Sequence, residues 1–173
     1  MIESVGMDGA VASLTTLCTP HKGSQIASQI MRLPKITKKF VAFWINLAYR
    51  IFGDKRPDSL KVCEQLQSHS QPQSETLNIS PNVYCQSYSS TLEKSRDDFI
   101  MGIPLIFSKH FENDMSDGLV SVESSKFGEY KGDCIDGSIS HVQIAGFALS
   151  KKKKDKIYAF YLNICKELSE LNL

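Results

Sequence analysis

Ala10-Val11-Ala12-Ser13-Leu14-Thr15-Thr16-Leu17-Cys18 runs directly into Thr19-Pro20-His21-Lys22-Gly23-Ser24, and the junction between the two decides the fold. The first stretch is apolar and β-branched and is cut off by Pro and Gly, which reads as a buried strand of the parallel-sheet kind. Ser24 is then placed to open a helix with Ile26, Ala27 and Ile30 on one face. Further on, Asn82-Val83-Tyr84-Cys85-Gln86-Ser87-Tyr88 alternates and is β-prone, a second strand. Strands separated by helices predict an α/β layer, a parallel sheet flanked by helices. Two or three parallel strands make a poor free-standing sheet, and the first strand has no earlier one to pair with. The chain therefore reads as part of a larger sheet.

Between the two strands, Pro34 to Phe52 is the most apolar segment. Ile36, Phe40, Val41, Phe43, Trp44, Ile45, Leu47, Tyr49, Ile51 and Phe52 cover almost the whole helical circumference. Pro34 suits the first turn of this helix and Gly53 its stop. Such a helix is either sandwiched inside the fold or covers an apolar groove. A further helix is expected from Asp58, capped by Asp58 or Ser59, to about Ser68. Residues 69–81 are rich in Ser, Gln, Asn and Pro and read as a surface loop. Asp97 to about Phe111 looks helical with a break at Pro104, and 112–141 reads as loop and short helix. Asp155 to Leu171 repeats apolar residues at Ile157, Phe160, Tyr161, Ile164 and Leu168, an amphipathic helix that docks on one side of the sheet.

The 173 residues make one domain or a large piece of one. A hydrophobic fraction of 42% with 23% charged residues is ordinary globular composition. A net charge of +1 gives no reason to expect a nucleic-acid partner. Lys35, Lys38 and Lys39, and the run Lys151 to Lys154, read as solvated helix ends. The 5 cysteines lack any C-x-x-C pair, which argues against a disulfide framework and against a zinc site. Met1 to Gly6 has neither a basic n-region nor an apolar h-region and is not read as a signal peptide. Phe40 to Tyr49 contains Asn46 and is too short to span a bilayer. Localisation stays open: cytoplasmic by default for this chain, with export of a longer parent undecided.

Two short segments carry the chemistry. Ser116-Asp117-Gly118-Leu119-Val120 places a carboxylate in a turn, and Ser140-His141-Val142 places an imidazole 24 residues later. Taken alone, Asp117 reads as a helix or turn cap and His141 as a satisfied structural histidine. Taken together they fit the last two members of a Ser-Asp-His triad, in which the carboxylate orients the imidazole that acts as general base. No G-x-S-x-G nucleophile elbow occurs in the chain. Other nucleophiles fail on context: Ser24 belongs to a structural turn, Cys18 ends a strand, His21 and Lys22 order the same turn, and Cys134 has no activating pattern.

Three segments together resemble the bacterial triacylglycerol lipases and esterases of the α/β-hydrolase fold. They are Val11 to Thr16 with Thr19-Pro20-His21-Lys22-Gly23-Ser24, then Ser116-Asp117-Gly118-Leu119-Val120-Ser121-Val122 with Ser124-Ser125, then Ser140-His141-Val142. The resemblance implies a carboxylic ester hydrolase, with Asp117 and His141 as triad members. It makes 1–173 the C-terminal part of one α/β-hydrolase domain, with about 31–68 a helical lid or cap insertion. It places Met1 to Gly6 in the tail of the helix that follows the nucleophile, so the serine and the oxyanion donors would lie outside the chain. They would belong to a preceding segment or a separately encoded N-terminal half, and the chain alone should be inactive. By resemblance, Phe40, Phe43, Trp44 and Leu47 of the lid are the candidate acyl-chain contacts, with Asn46 and Arg50 at the groove rim and a peripheral lipid interface as the expected partner. Relatives bind a structural calcium through an acidic residue two positions after the His, where this chain has Gln143. Asp133 and Asp136 are near but show no EF-type spacing, so no cofactor or metal is assigned. The rival reading is a non-catalytic remnant that contacts lipid or protein through the Pro34–Phe52 helix.

Overall fold

β1 (Ser13–Leu17) and β2 (Tyr84–Ser89) pair in parallel, Ser13 opposite Tyr84 and Leu17 opposite Tyr88. β3 (Glu129–Asp133) pairs in parallel with the other edge of β2, which gives a three-stranded sheet in the order β1-β2-β3. These elements belong to a computed structural model that describes residues 6–51, 53–67, 81–98, 101, 115–147 and 150–173. The sheet with its flanking helices is the α/β class expected from the sequence. Of the loop expected at 69–81 and the helix expected from Asp97 to about Phe111, residues 69–80, 99–100 and 102–111 lie outside the described residues; Ser95–Asp97 form a 3-10 turn and Asp98 is extended, not helical.

β3 corrects the reading of 112–141 as loop and short helix. Its residues, Glu129-Tyr130-Lys131-Gly132-Asp133, alternate between exposed and half-buried. Charged residues and a glycine hide such a strand from an apolar-run criterion, and they suit a sheet edge. Gly128 introduces it at φ +57, with the site of its missing Cβ only 2.4 Å from the Cys85 carbonyl of β2. A glycine is needed there because the two backbones approach too closely for any side chain.

Between β1 and β2 come α1 (Gln25–Arg32), α2 (Lys35–Ile51) and α3 (Ser59–Gln65). Ser24 caps α1 by accepting from the Ala27 amide at 3.3 Å. α1 ends at Leu33, held extended at ψ 150 by the following Pro34. Lys38 is more than a solvated helix end, because its Nζ donates to the Met31 carbonyl at 2.8 Å and closes the end of α1. Asp58 caps α3. Asn46, expected at a groove rim, instead accepts from the Ser59 amide at 2.8 Å and bolts α2 to the start of α3.

α2 is not sandwiched in the fold. Among its described side chains only Ala42 is buried, while Ile36, Phe40, Phe43, Trp44 and Leu47 are exposed on one face. No helix among the described residues is long and apolar enough to cross a membrane.

α4 (Val122–Ser125) is a single turn, and α5 (Lys151–Glu170) begins one turn earlier than the periodicity predicts. α5 buries Ile157 and Ile164 against Cys18, Tyr88, Cys134, Ile139 and Ile144 at the C-terminal end of the strands. Each such side chain contributes on the order of 1.5–3 kcal/mol. Phe160 meets the Tyr88 ring edge-on with centroids 5.1 Å apart. Lys131 of β3 bridges to Glu167 at 2.7 Å and pins the helix to the sheet edge.

Candidate active site

Asp117 and His141 meet at this same end of the sheet. Asp117 follows β2 in the chain and His141 follows β3, so both stand on connections that leave strand C-termini, where open α/β sheets place their sites. The Asp117 carboxylate is 1% exposed, and both of its oxygens are used. Oδ1 accepts from the Leu119 amide at 2.9 Å and the Val120 amide at 2.8 Å. Oδ2 lies 2.7 Å from Nδ1 of His141. The capping reading and the His-orienting reading of Asp117 are thus compatible, one for each oxygen.

An ionised carboxylate only accepts, so the proton of that bond sits on Nδ1, and Nε2 of the neutral ring is left with its lone pair. The His141 side chain is 33% exposed, so the ring is only partly covered. Burial pushes the imidazole pKa down. The hydrogen bond and the negative charge of Asp117 outweigh it, so the net pKa stands above the ordinary value of 6.5. The backbone adds a second tie, the His141 amide donating to the Asp117 carbonyl at 3.1 Å.

The turn at Asp117 is shaped by Gly118 at φ +102, where a Cβ would press on Met101 at 3.0 Å. Leu119 and Val142, neighbours of the two site residues, pack on the buried pair Leu92 and Met101. A small apolar floor therefore underlies both loops.

The Thr19–Ser24 turn holds this arrangement from behind. Ser24 Oγ donates to the Leu119 carbonyl at 2.9 Å while it also caps α1. Ser124 Oγ of α4 donates to the Gly23 carbonyl at 2.6 Å and accepts from the Lys22 amide at 3.2 Å. The His21 amide donates to the Ser124 carbonyl at 2.9 Å, and its ring stacks on Phe127 with centroids 4.4 Å apart. Lys22 pairs with Glu123 at 2.5 Å across solvent. Ser24, His21 and Lys22 are structural here, and the mutual grip of the two motifs is what sequence reasoning missed. Ser24→Ala is expected to cost about 1–2 kcal/mol through the lost cap and the lost tie to Leu119. An unchanged urea midpoint for that variant would contradict this role.

Cys18 lies in the left-handed region at φ 51 where β1 ends, is 1% exposed, and donates to Ser90 Oγ at 3.3 Å. Its pKa is pushed well up, chiefly by a hydrogen bond with Cys134 and by burial, so it is a thiol and no nucleophile. Cys134 is also buried. Among the described residues no group of three or more His, Cys, Asp or Glu could hold a metal ion.

The four candidate acyl contacts lie on α2. Phe40, Phe43 and Trp44 are 63%, 60% and 55% exposed, and Leu47 is 38% exposed. Their rings meet edge-on, Phe43 against Trp44 at 5.6 Å and Phe40 against Trp44 at 6.3 Å. The structure shows an outward apolar face there.

No protein-family model matches the chain. It is 29% identical over 136 residues to triacylglycerol lipase 2 of Saccharomyces cerevisiae, an alignment covering 73% of this chain and 35% of that protein. The chain thus spans about a third of the length of this relative, a yeast protein where the sequence motifs pointed to bacterial ones. With its parallel α/β sheet, the chain is a distant, partial, lipase-like relative of that protein.

Proposed function

We propose that the chain is the Asp- and His-bearing part of a lipase-like carboxylic ester hydrolase of the α/β-hydrolase type. The observation that carries this reading is the 2.7 Å contact between a fully buried, doubly anchored Asp117 carboxylate and Nδ1 of a partly exposed His141. In that reading His141 Nε2 takes the proton from a serine hydroxyl and later delivers it to the leaving alcohol. Asp117 holds the tautomer and stabilises the imidazolium. The serine and its oxyanion donors come from sequence outside these 173 residues, in the same polypeptide or in a separately encoded N-terminal half, and the chain alone does not turn over. The outer edge of β1, unpaired among the described residues, is the place for that part of the sheet to join.

Residues 31–68 form the lid or cap, and Phe40, Phe43, Trp44 and Leu47 contact the acyl chain. The test is hydrolysis of a short-chain p-nitrophenyl ester by a longer protein that contains this chain and a G-x-S-x-G segment. Activity is expected, and His141→Ala should remove it with the fold intact. Wild-type turnover by folded His141→Ala would end the triad reading.

One observation favours the second reading, a non-catalytic lipid-contacting module: the exposed aromatic face of α2, on a helix with Lys35, Lys38, Lys39 and Arg50 and no acidic residue. Trp44 is the only tryptophan in the chain. Its emission should shift to the blue on mixing with phosphatidylglycerol vesicles. An unmoved spectrum would exclude insertion of this face into lipid.

A further inference from the structure

Lys151 to Lys154 open α5 as four consecutive lysines, and three of them point to solvent. Lys153 turns inward. Its Nζ donates to the Ser138 carbonyl at 3.0 Å and to Gln143 Oε1 at 3.0 Å, and reaches the Asp97 carbonyl at 3.5 Å. Gln143 is buried: its Nε2 donates to the Asp97 carbonyl at 3.1 Å and its Oε1 accepts from the Ser140 amide at 3.3 Å. Ser140 is buried as well. Its Oγ accepts from the Gln143 amide at 3.2 Å and donates to Asp98 Oδ2. Asp98 Oδ1 in turn accepts from the Met101 amide at 3.0 Å. One ammonium therefore gathers oxygens from the segment after β2 and from the turn on either side of His141, and ties them to the head of α5.

Helix stability does not explain this lysine. The first turn of α5 holds no acidic residue, and its N-cap Ser150 makes no side-chain capping bond. Cations at a helix N-terminus oppose the macrodipole, by about 0.3–1 kcal/mol each. What Lys153 gains is the set of carbonyl oxygens in front of it, two of which belong to the segment that carries His141.

We infer that Lys153 is a positioning residue for His141, an internal cation that locks residues 138–143 so that the imidazole meets Asp117. The inference rests on the proposed Asp117–His141 pair, and its test keeps the two apart. The imidazole of His141 is titrated by NMR in the 173-residue chain for wild type, Asp117→Asn, Lys153→Met, Lys153→Arg and Lys152→Met. The expected result is a downward shift of the His141 pKa in Asp117→Asn, and in Lys153→Met a smaller downward shift, the loosened contact with Asp117 outweighing the rise that loss of a nearby cation gives on its own. Lys153→Arg, which keeps a cation, should restore most of the difference, and Lys152→Met should leave the value unchanged. A folded Lys153→Met that titrates like wild type, beside an Asp117→Asn that shifts, overturns the inference and leaves the pair standing. No shift in Asp117→Asn overturns the pair itself.

If Lys153→Met does not fold, the decision falls to reductive methylation of the wild-type chain. A lysine held by three carbonyl oxygens should react more slowly than exposed Lys152. Equal rates would overturn the inference.

Discussion

Asp117→Asn is expected to lower turnover by roughly ten-thousandfold in a protein that supplies the serine, with the fold retained. The asparagine can still offer its carbonyl oxygen to the Leu119 and Val120 amides, which wild-type Oδ1 accepts at 2.9 and 2.8 Å, so the turn survives. The side-chain amide nitrogen then faces Nδ1, and two donors cannot bond. The ring must move its proton to Nε2, the atom that has to receive the serine proton, and general-base catalysis stops.

The same variant carries a pH signature in the isolated chain. Asp117 holds His141 above the ordinary imidazole value, so the folded state binds the proton more tightly than the unfolded state does. The stabilisation from that proton is fully present below the unfolded value of 6.5 and is lost as pH rises through the raised folded pKa. Wild-type chain should therefore have a higher urea midpoint at about pH 5.5 than at about pH 8.5 from this pair, and Asp117→Asn should lose that difference. Identical pH profiles for the two proteins would show that the carboxylate does not act on the imidazole.

Gly128→Ala is expected to be the most damaging single methyl group in the described fold. The added Cβ would stand 2.4 Å from the Cys85 carbonyl oxygen and 2.9 Å from its carbonyl carbon, and both are backbone atoms of β2 that no rotamer change can move. A left-handed φ of +57 adds to the strain. Overpacking and backbone strain together place the cost at about 2–4 kcal/mol. At roughly 2–4 °C per kcal/mol for a chain of this size, Tm should fall by roughly 5–15 °C. Gly132, at φ +101 with nothing within 4 Å of its missing Cβ, supplies the comparison: Gly132→Ala carries the conformational strain without the collision. An unchanged Tm for Gly128→Ala would show that β3 can move away from β2 at no cost.

The parts of the fold that are legible in the sequence are those in which one physical signal dominates. β1 and β2 announce themselves as β-branched or alternating runs between turn residues, and the helix starts near Ser24 and at Asp58 or Ser59 by their capping residue types. β3 does not, because an edge strand of alternating charge looks like a loop until a partner is beside it. α2 is ambiguous because an apolar circumference is compatible with burial and with exposure alike, and only packing shows Phe40, Phe43 and Trp44 turned outward.

At the site, sequence order suggests reading Asp117 with His141, yet no spacing rule says that 24 residues of chain bring two atoms to 2.7 Å. The supporting residues are illegible for a different reason. Lys153 is one of four identical neighbours, and Ser124 one of many serines. Each is singled out by the carbonyl in front of it, which belongs to another part of the chain.

That separation has a consequence for how the molecule comes into being. The bonds from Ser24 to Leu119, from Lys22 to Ser124 and from Ser124 to Gly23 join positions 95 to 102 residues apart. Closing loops of that length costs entropy before any contact repays it. The turn that supports the pair is therefore complete only when the segment after β1 has met the segment that carries Asp117.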